Sequence, residues 1–134
     1  MSEDEAPGGF YGAVPVFRVE DVTTTSEYYR DVLGFEIDFI FGDPPRYASV
    51  SRDDAVLHFT MARAPDWRDG GMGVDALIVV ADAHAVMHEL AERGANIIRP
   101  LVDQPTGMSD FVIEDCNKYR IAIAEQTDSG DDEA

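Results

Sequence analysis

Lysine is almost missing from this chain of 134 residues: Lys118 stands alone beside nine arginines, against 27 acidic residues. Cysteine is as rare. Cys116 is the only one, which excludes an internal disulfide and suits a reducing compartment. No apolar run approaches the roughly 18 residues of a membrane span. The opening MSEDEAPGG is acidic and lacks the pattern of a signal or transit peptide, so a cytoplasmic location is expected. Seven acids lie in the terminal stretches, leaving 20 acids against 10 bases in residues 10–126, a net charge of −10. Such a surface repels nucleic acid and anionic membranes. It reads first as a well-solvated exterior, and second as a field that draws in a cationic ligand.

What is present is enough apolar material for one real core, with 45% hydrophobic residues and seven phenylalanines. Residues 1–9 and 127–134 read as disordered acidic tails, and residues 10–126 as one domain. Ala13–Val19 has the pattern of a strand, although Pro15 confines it to an edge or to a position where no N–H is needed. Asp21 is placed to cap a helix running from Val22 to Leu33, which Gly34 ends in the left-handed position. Strands are expected at Phe35–Phe41, Tyr47–Ser51 and Ala55–Ala62, separated by the turns Gly42-Asp43-Pro44-Pro45 and Arg52-Asp53-Asp54.

After a polar, glycine-rich connector the pattern begins again. A strand at Val74–Val80 precedes a helix at Ala83–Arg93 with Gly94 as its stop, then strands at Asn96–Arg99, Ser109–Ile113 and Tyr119–Ala124. Val19 and Asp21 recur as Val80 and Asp82, both 61 residues on, and Gly34 recurs as Gly94, 60 on. The chain therefore reads as an α+β fold of two tandem β-α-β-β-β modules. Module one covers 13–62, the linker 63–73 and module two 74–125. Either module alone leaves one sheet face bare. Two together are expected to form curved mixed sheets around a cup.

The stretch AVLHFTMAR, Ala55–Arg63, carries the most informative local pattern. Alternation sends Leu57, Phe59 and Met61 to one side and Val56, His58 and Thr60 to the other. His58 is thus the polar point of a mixed face, either a ligand contact or a satisfied interior histidine. Phe39, Phe41, Tyr47, Trp67 and Phe111 are the aromatics expected to line a cavity, with Trp67 in the connector either covering a ligand or plugging the gap between modules. Arg18, Arg46 and Arg120 are each able to meet a carboxylate at the cavity mouth, or to pair with the abundant surface acids. His84 and His88 stand at i, i+4, but the glutamate follows the second histidine, so this is not the zinc-protease pattern. Cys116 belongs to no motif.

The run Val16-Phe17-Arg18-Val19-Glu20-Asp21, followed by Glu27-Tyr28-Tyr29-Arg30-Asp31-Val32-Leu33-Gly34-Phe35, resembles the opening of vicinal oxygen chelate proteins. That superfamily includes glyoxalase I, extradiol dioxygenases and bleomycin-resistance proteins. Gly42–Ala48, Leu57-His58-Phe59 and the closing Phe111–Asp115 and Arg120–Ile123 extend the resemblance over residues 12–126. The resemblance implies four metal-ligand positions, which fall here on Val14, His58, Asp75 and Ala122. Val14 and Ala122 cannot bind a metal, and two ligands are fewer than a catalytic site usually has. The final turn also departs from the family's Asp-Pro-Asp-Gly, running Asp115-Cys116-Asn117-Lys118.

These residues imply a metal-independent, small-molecule binding protein of the bleomycin-resistance type, with no cofactor. Its ligand would be an antibiotic or an aromatic metabolite, held by His58, Asp75, Phe39, Phe41, Tyr47, Trp67, Phe111 and Arg120. A homodimer is expected from the resemblance. The alternative is a glyoxalase-like lyase or isomerase, or a dioxygenase-related enzyme, that uses a paired His58 and Asp75.

Overall fold

The computed structural model of the chain describes residues 8–63 and 73–127. Strand β1 (Val16–Val19), helix α1 (Val22–Asp31), and strands β2 (Glu36–Phe41), β3 (Tyr47–Arg52) and β4 (Ala55–Met61) form the first module. Strand β5 (Ala76–Val79), helix α2 (Ala83–Glu92), and strands β6 (Asn96–Asp103), β7 (Met108–Glu114) and β8 (Arg120–Gln126) form the second. Each module makes an open, mixed four-stranded sheet, in the orders β1-β4-β3-β2 and β5-β8-β7-β6. The first and last strands of each module pair in parallel, and the other neighbours are antiparallel. The fold is the duplicated α+β arrangement expected from the repeat. The acidic ends (1–7 and 128–134), the connector from 64 to 72 and its Trp67 lie outside the described residues.

Local chemistry sets the element ends. The Asp21 and Asp82 carboxylates accept the N–H groups of Thr24 and Ala85, at 2.9 and 3.0 Å, capping the two helices alike. Gly34 and Gly94, with φ of 78° and 92°, turn the chain out of each helix at little steric cost. Strand β1 begins three residues later than expected. Pro15 has no N–H for the ladder, though its carbonyl still accepts His58 N–H at 3.0 Å. Strand β6 runs on to Asp103 through Pro100, which falls where the β6–β7 register breaks between Arg99 and Val102, so its missing N–H costs no pairing.

The two modules share one core made from their helix-facing sides. Tyr29, Leu33, Phe17, Phe59, Leu57 and Val50 from the first join Phe111, Ile113, Ile121, Ile123, Leu90 and Tyr119 from the second. Cross-module contacts come from this side. Phe17 stacks on Tyr119 with ring centroids 4.1 Å apart, and the Tyr119 hydroxyl both accepts Arg18 N–H and donates to Arg18 C=O. That hydroxyl satisfies backbone groups that β1 has no further strand to pair with. The opposite, free faces of both sheets carry half-exposed apolar side chains, among them Val16, Phe39, Leu77 and Val79.

At another cross-module contact, Glu89 on α2 accepts from Arg52 at 2.7 Å and, within its own helix end, from Arg93 at 2.9 Å. The Arg52 hydrogen bond lowers the Glu89 pKa, and Arg93 adds to this against a partial desolvation penalty. A lowered folded-state pKa contributes stability above the unfolded value and loses it as pH falls through the folded value. Wild-type protein should therefore lose stability as the pH drops below the ordinary glutamate range. Glu89→Gln should start less stable at neutral pH and show a shallower decline across that window in urea unfolding. Equal slopes in the two proteins would remove Glu89 from the account.

Candidate functional site

The free face of the first sheet gathers the chemistry. In β4, Leu57 and Phe59 point into the core, so Val56, His58 and Thr60 point away from it. Register then places Ser49 opposite His58 and Tyr47 opposite Thr60 on β3, with Phe39 opposite Ser49 and Phe41 opposite Tyr47 on β2. The Tyr47 hydroxyl lies 2.8 Å from His58 Nδ1. Phe39 lies nearly parallel to Tyr47, at 6.5 Å and 16°, and meets the His58 ring edge-on at 6.1 Å and 70°. Phe39 and Phe41 remain 46% and 58% exposed, and the Arg46 guanidinium sits 5.2 Å from the Phe41 ring centre.

Asp38 is a member of this face that sequence reasoning missed. A bulge interrupts the β2–β3 register between Ile37 and Phe39, with Asp38 as the extra residue. Its two carboxylate oxygens accept from Ser49 at 2.9 Å and from Ser51 at 2.8 Å. Strict alternation along β2 puts Asp38 and Phe39 on opposite sides, and only the bulge brings both to the free face. The result is a rack of aromatic rings with one imidazole and, beside them, one carboxylate. With Nδ1 facing Tyr47, the His58 ring keeps Nε2 for a ligand, as donor or acceptor according to tautomer.

The remaining predicted residues are distributed differently. Asp75 stands just before β5, where its carboxylate accepts Arg120 N–H at 2.8 Å and its N–H donates to Arg120 C=O. The expected pairing of His58 with Asp75 therefore does not form within the chain: each is held by its own module. Arg120 faces Glu114 at 3.5 Å on the free side of the second sheet. Phe111 is fully buried on the helix side, so it supplies no surface to a free face. The alternation Asp110, Val112, Glu114 against Ser109, Phe111, Ile113 carries that signal. His84 and His88 are exposed on α2. Cys116 is exposed at its turn, yet partial desolvation and the neighbouring Asp115 charge push its thiol up to about 11, so it stays protonated at neutral pH.

Of the four positions implied for a divalent metal, Val14 and Ala122 are apolar, and Asp75 already serves Arg120 N–H. Among the described residues no three His, Cys, Asp or Glu side chains converge. This donor set does not fit a resident metal of the usual three or more ligands.

Comparison with known proteins places this geometry. A search of curated proteins returned no match. Among solved structures, the chain is similar to the bleomycin-binding protein from bleomycin-producing Streptomyces verticillus, complexed with copper(II)-bleomycin. Identity is 29%, over 89% of this chain and 97% of that one, with a TM-score of 0.68. It is also similar to the bleomycin resistance determinant encoded on transposon Tn5, at 18% identity over 87% and 98% of the two chains and a TM-score of 0.72. A glyoxalase-related enzyme from Clostridium phytofermentans shares 17% identity over 90% and 99%, with a TM-score of 0.73. The family model matches residues 13–123, and the chain belongs to the Glyoxalase/Bleomycin resistance protein/Dioxygenase superfamily.

Proposed function

We propose that this is a cytoplasmic, metal-independent binding protein that sequesters a planar aromatic or cationic small molecule of the antibiotic or aromatic-metabolite type. The observation that carries the reading is the half-exposed rack of Phe39, Tyr47 and Phe41 around His58. Flat rings present π-faces to a planar or cationic guest, and Asp38 and the acidic surface favour positive charge. The copper(II)-bleomycin complex of the Streptomyces verticillus relative supports a small-molecule ligand on this fold. Asp75 and Arg120, on the free side of the second sheet, would reach this site from a second copy of the chain.

The protein acts as a homodimer in this reading. Apolar side chains lie half-exposed on both free faces, as they do on surfaces that meet a partner. A second copy laid against them buries that surface and turns two open sheets into a groove for the ligand. Isothermal titration against copper(II)-bleomycin and a panel of planar aromatic cations should give saturable binding, one ligand per chain. Phe39→Ala should weaken it by about tenfold, the loss of roughly one stacking contact. Complete absence of binding at millimolar ligand would sink the reading, and sedimentation as a monomer would remove the groove.

The rival is a glyoxalase-like lyase or isomerase, or a dioxygenase-related enzyme, that uses His58 and Asp75, with Tyr47 orienting the imidazole at 2.8 Å and Asp75 supplied by a second copy. Elemental analysis of untagged protein separates the two. One tightly held divalent metal per chain overturns the metal-independent reading.

A further inference from the structure

A cavity of about 650 Å³ lies between the modules, lined by core residues of their helix-facing sides and, at its edge, by Val56, Leu77 and Val79 from the free faces; His58, Phe39 and Tyr47 are not part of it. Its floor is core: Leu57, Leu90, Ile113, Ile121 and Ile123, none more than 5% exposed. Its rim includes three exposed carboxylates, Asp53 and Asp54 from the β3–β4 turn and Asp82 at the head of α2. The lining's one basic residue among those described, Arg52, is taken by Glu89 at 2.7 Å and by Leu33 C=O at 2.9 Å.

We propose that this cavity is a second ligand site, distinct from the aromatic rack around His58, for a lipophilic amine. The volume falls within the roughly 300–1,000 Å³ typical of small-molecule sites. The floor of Leu and Ile side chains offers water few hydrogen-bond partners, and water held against it makes poorer dispersion contacts than a packed hydrocarbon would. An alkyl or alicyclic body restores those contacts. The three rim carboxylates, with the nearby arginine already paired, set the sign of the head group: an ammonium is attracted, a carboxylate repelled. The site uses residues of both modules and needs no second chain.

Titration calorimetry on the full chain with n-octylamine, octan-1-ol and octanoate tests this. Octylamine should bind saturably, one per chain, about tenfold more tightly than octanol, with octanoate weaker still. Ala85→Trp, which places an indole on an exposed lining position of α2, should abolish octylamine binding while far-UV circular dichroism stays unchanged. Asp53→Asn with Asp54→Asn should bring amine and alcohol to within about twofold of each other. Phe39→Ala, outside this lining, should leave octylamine affinity within about twofold, so this site and the aromatic rack fail independently. The proposal is overturned if no compound saturates, if Ala85→Trp binds normally, or if amine and alcohol bind alike in the wild type. It is also overturned if octylamine binds only after residues 1–11 are removed. The cavity would then be the seat of the aromatic arm, in which Phe10 and Tyr11 stand almost fully exposed.

Discussion

Asp115→Ala is expected to cost about 3–5 kcal/mol, a large part of the roughly 5–15 kcal/mol that holds a domain folded. The Asp115 carboxylate is only 6% exposed and accepts three hydrogen bonds. Tyr29 Oη donates to Oδ2 at 2.6 Å, and the Asn117 and Tyr119 N–H groups donate to Oδ1 at 2.8 and 2.9 Å. Each bond to a charged acceptor contributes about 1.5–3 kcal/mol, and neighbouring bonds do not simply add. Alanine leaves the fully buried Tyr29 hydroxyl without this acceptor. Burial first, and then the Asp115 charge, hold the Tyr29 pKa well above its ordinary value, so the phenol stays protonated as the donor. Two variants separate the parts. Tyr29→Phe removes one of the three bonds and should cost about 1.5 kcal/mol, so the alanine variant must be clearly worse. Urea unfolding with an unchanged slope, and a Tm about 10 °C lower for Asp115→Ala, is the expected result. A cost under about 1 kcal/mol would mean that the turn stands without its carboxylate.

The same carboxylate explains why a turn without glycine keeps its shape. Lys118 adopts φ of 75°, a conformation that suits glycine or asparagine better. Around it, Lys118 N–H donates to Asp115 C=O and Asp115 N–H to Tyr119 C=O, while the side chain gathers two more N–H groups. This hydrogen-bond cage offsets the strain at Lys118. Asn117 Nδ2 also reaches Thr25 Oγ1 on α1 at 2.9 Å, so the turn fastens the second module to the first module's helix.

The second large effect sets two adjacent residues apart. Phe59→Ala should cost about 3–5 kcal/mol, the range for deleting a ring from a closed core. Phe59 is fully buried and its ring centre lies 4.9 Å from that of Tyr29 and 6.4 Å from that of Phe17. His58→Ala, one residue earlier, should cost only about 1 kcal/mol, the worth of the Tyr47 hydrogen bond on a partly open face. Its expected effect is on the ligand, at least about a tenfold loss of affinity for whichever planar cation the wild type binds. Thermal unfolding and calorimetry on both variants check the pair. A His58→Ala protein as unstable as Phe59→Ala would assign the histidine to the fold and remove it from the site.

That contrast was legible before any coordinates, because it depends only on the two-residue period of a strand. The helix starts were legible for a similar reason: an aspartate three residues before the N–H it caps acts within one turn. The glycine stops and the 60–61-residue repeat gave the module order in the same way, while the family came from the resemblance carried by Val16–Asp21 and Glu27–Phe35. Each of these signals is local, or is a local signal repeated.

The rest depended on contacts between residues far apart in the chain. Nothing near Asp115 announces Tyr29, 86 residues earlier, and nothing near Asp75 announces that Arg120 N–H will take its carboxylate. Whether Pro15 shortens a strand and Pro100 does not depends on the ladder beside each, and β6 breaks register against β7 at Pro100. The bulge at Asp38 moves one carboxylate onto the aromatic face by breaking the very period that placed His58. The sequence by itself determined the modules, their order and the side of the sheet that His58 occupies, because alternation and capping act within a few residues. The tertiary structure alone decided that the modules meet through their helix sides, leaving the aromatic face open and a cavity between them, because packing joins surfaces that no local pattern relates.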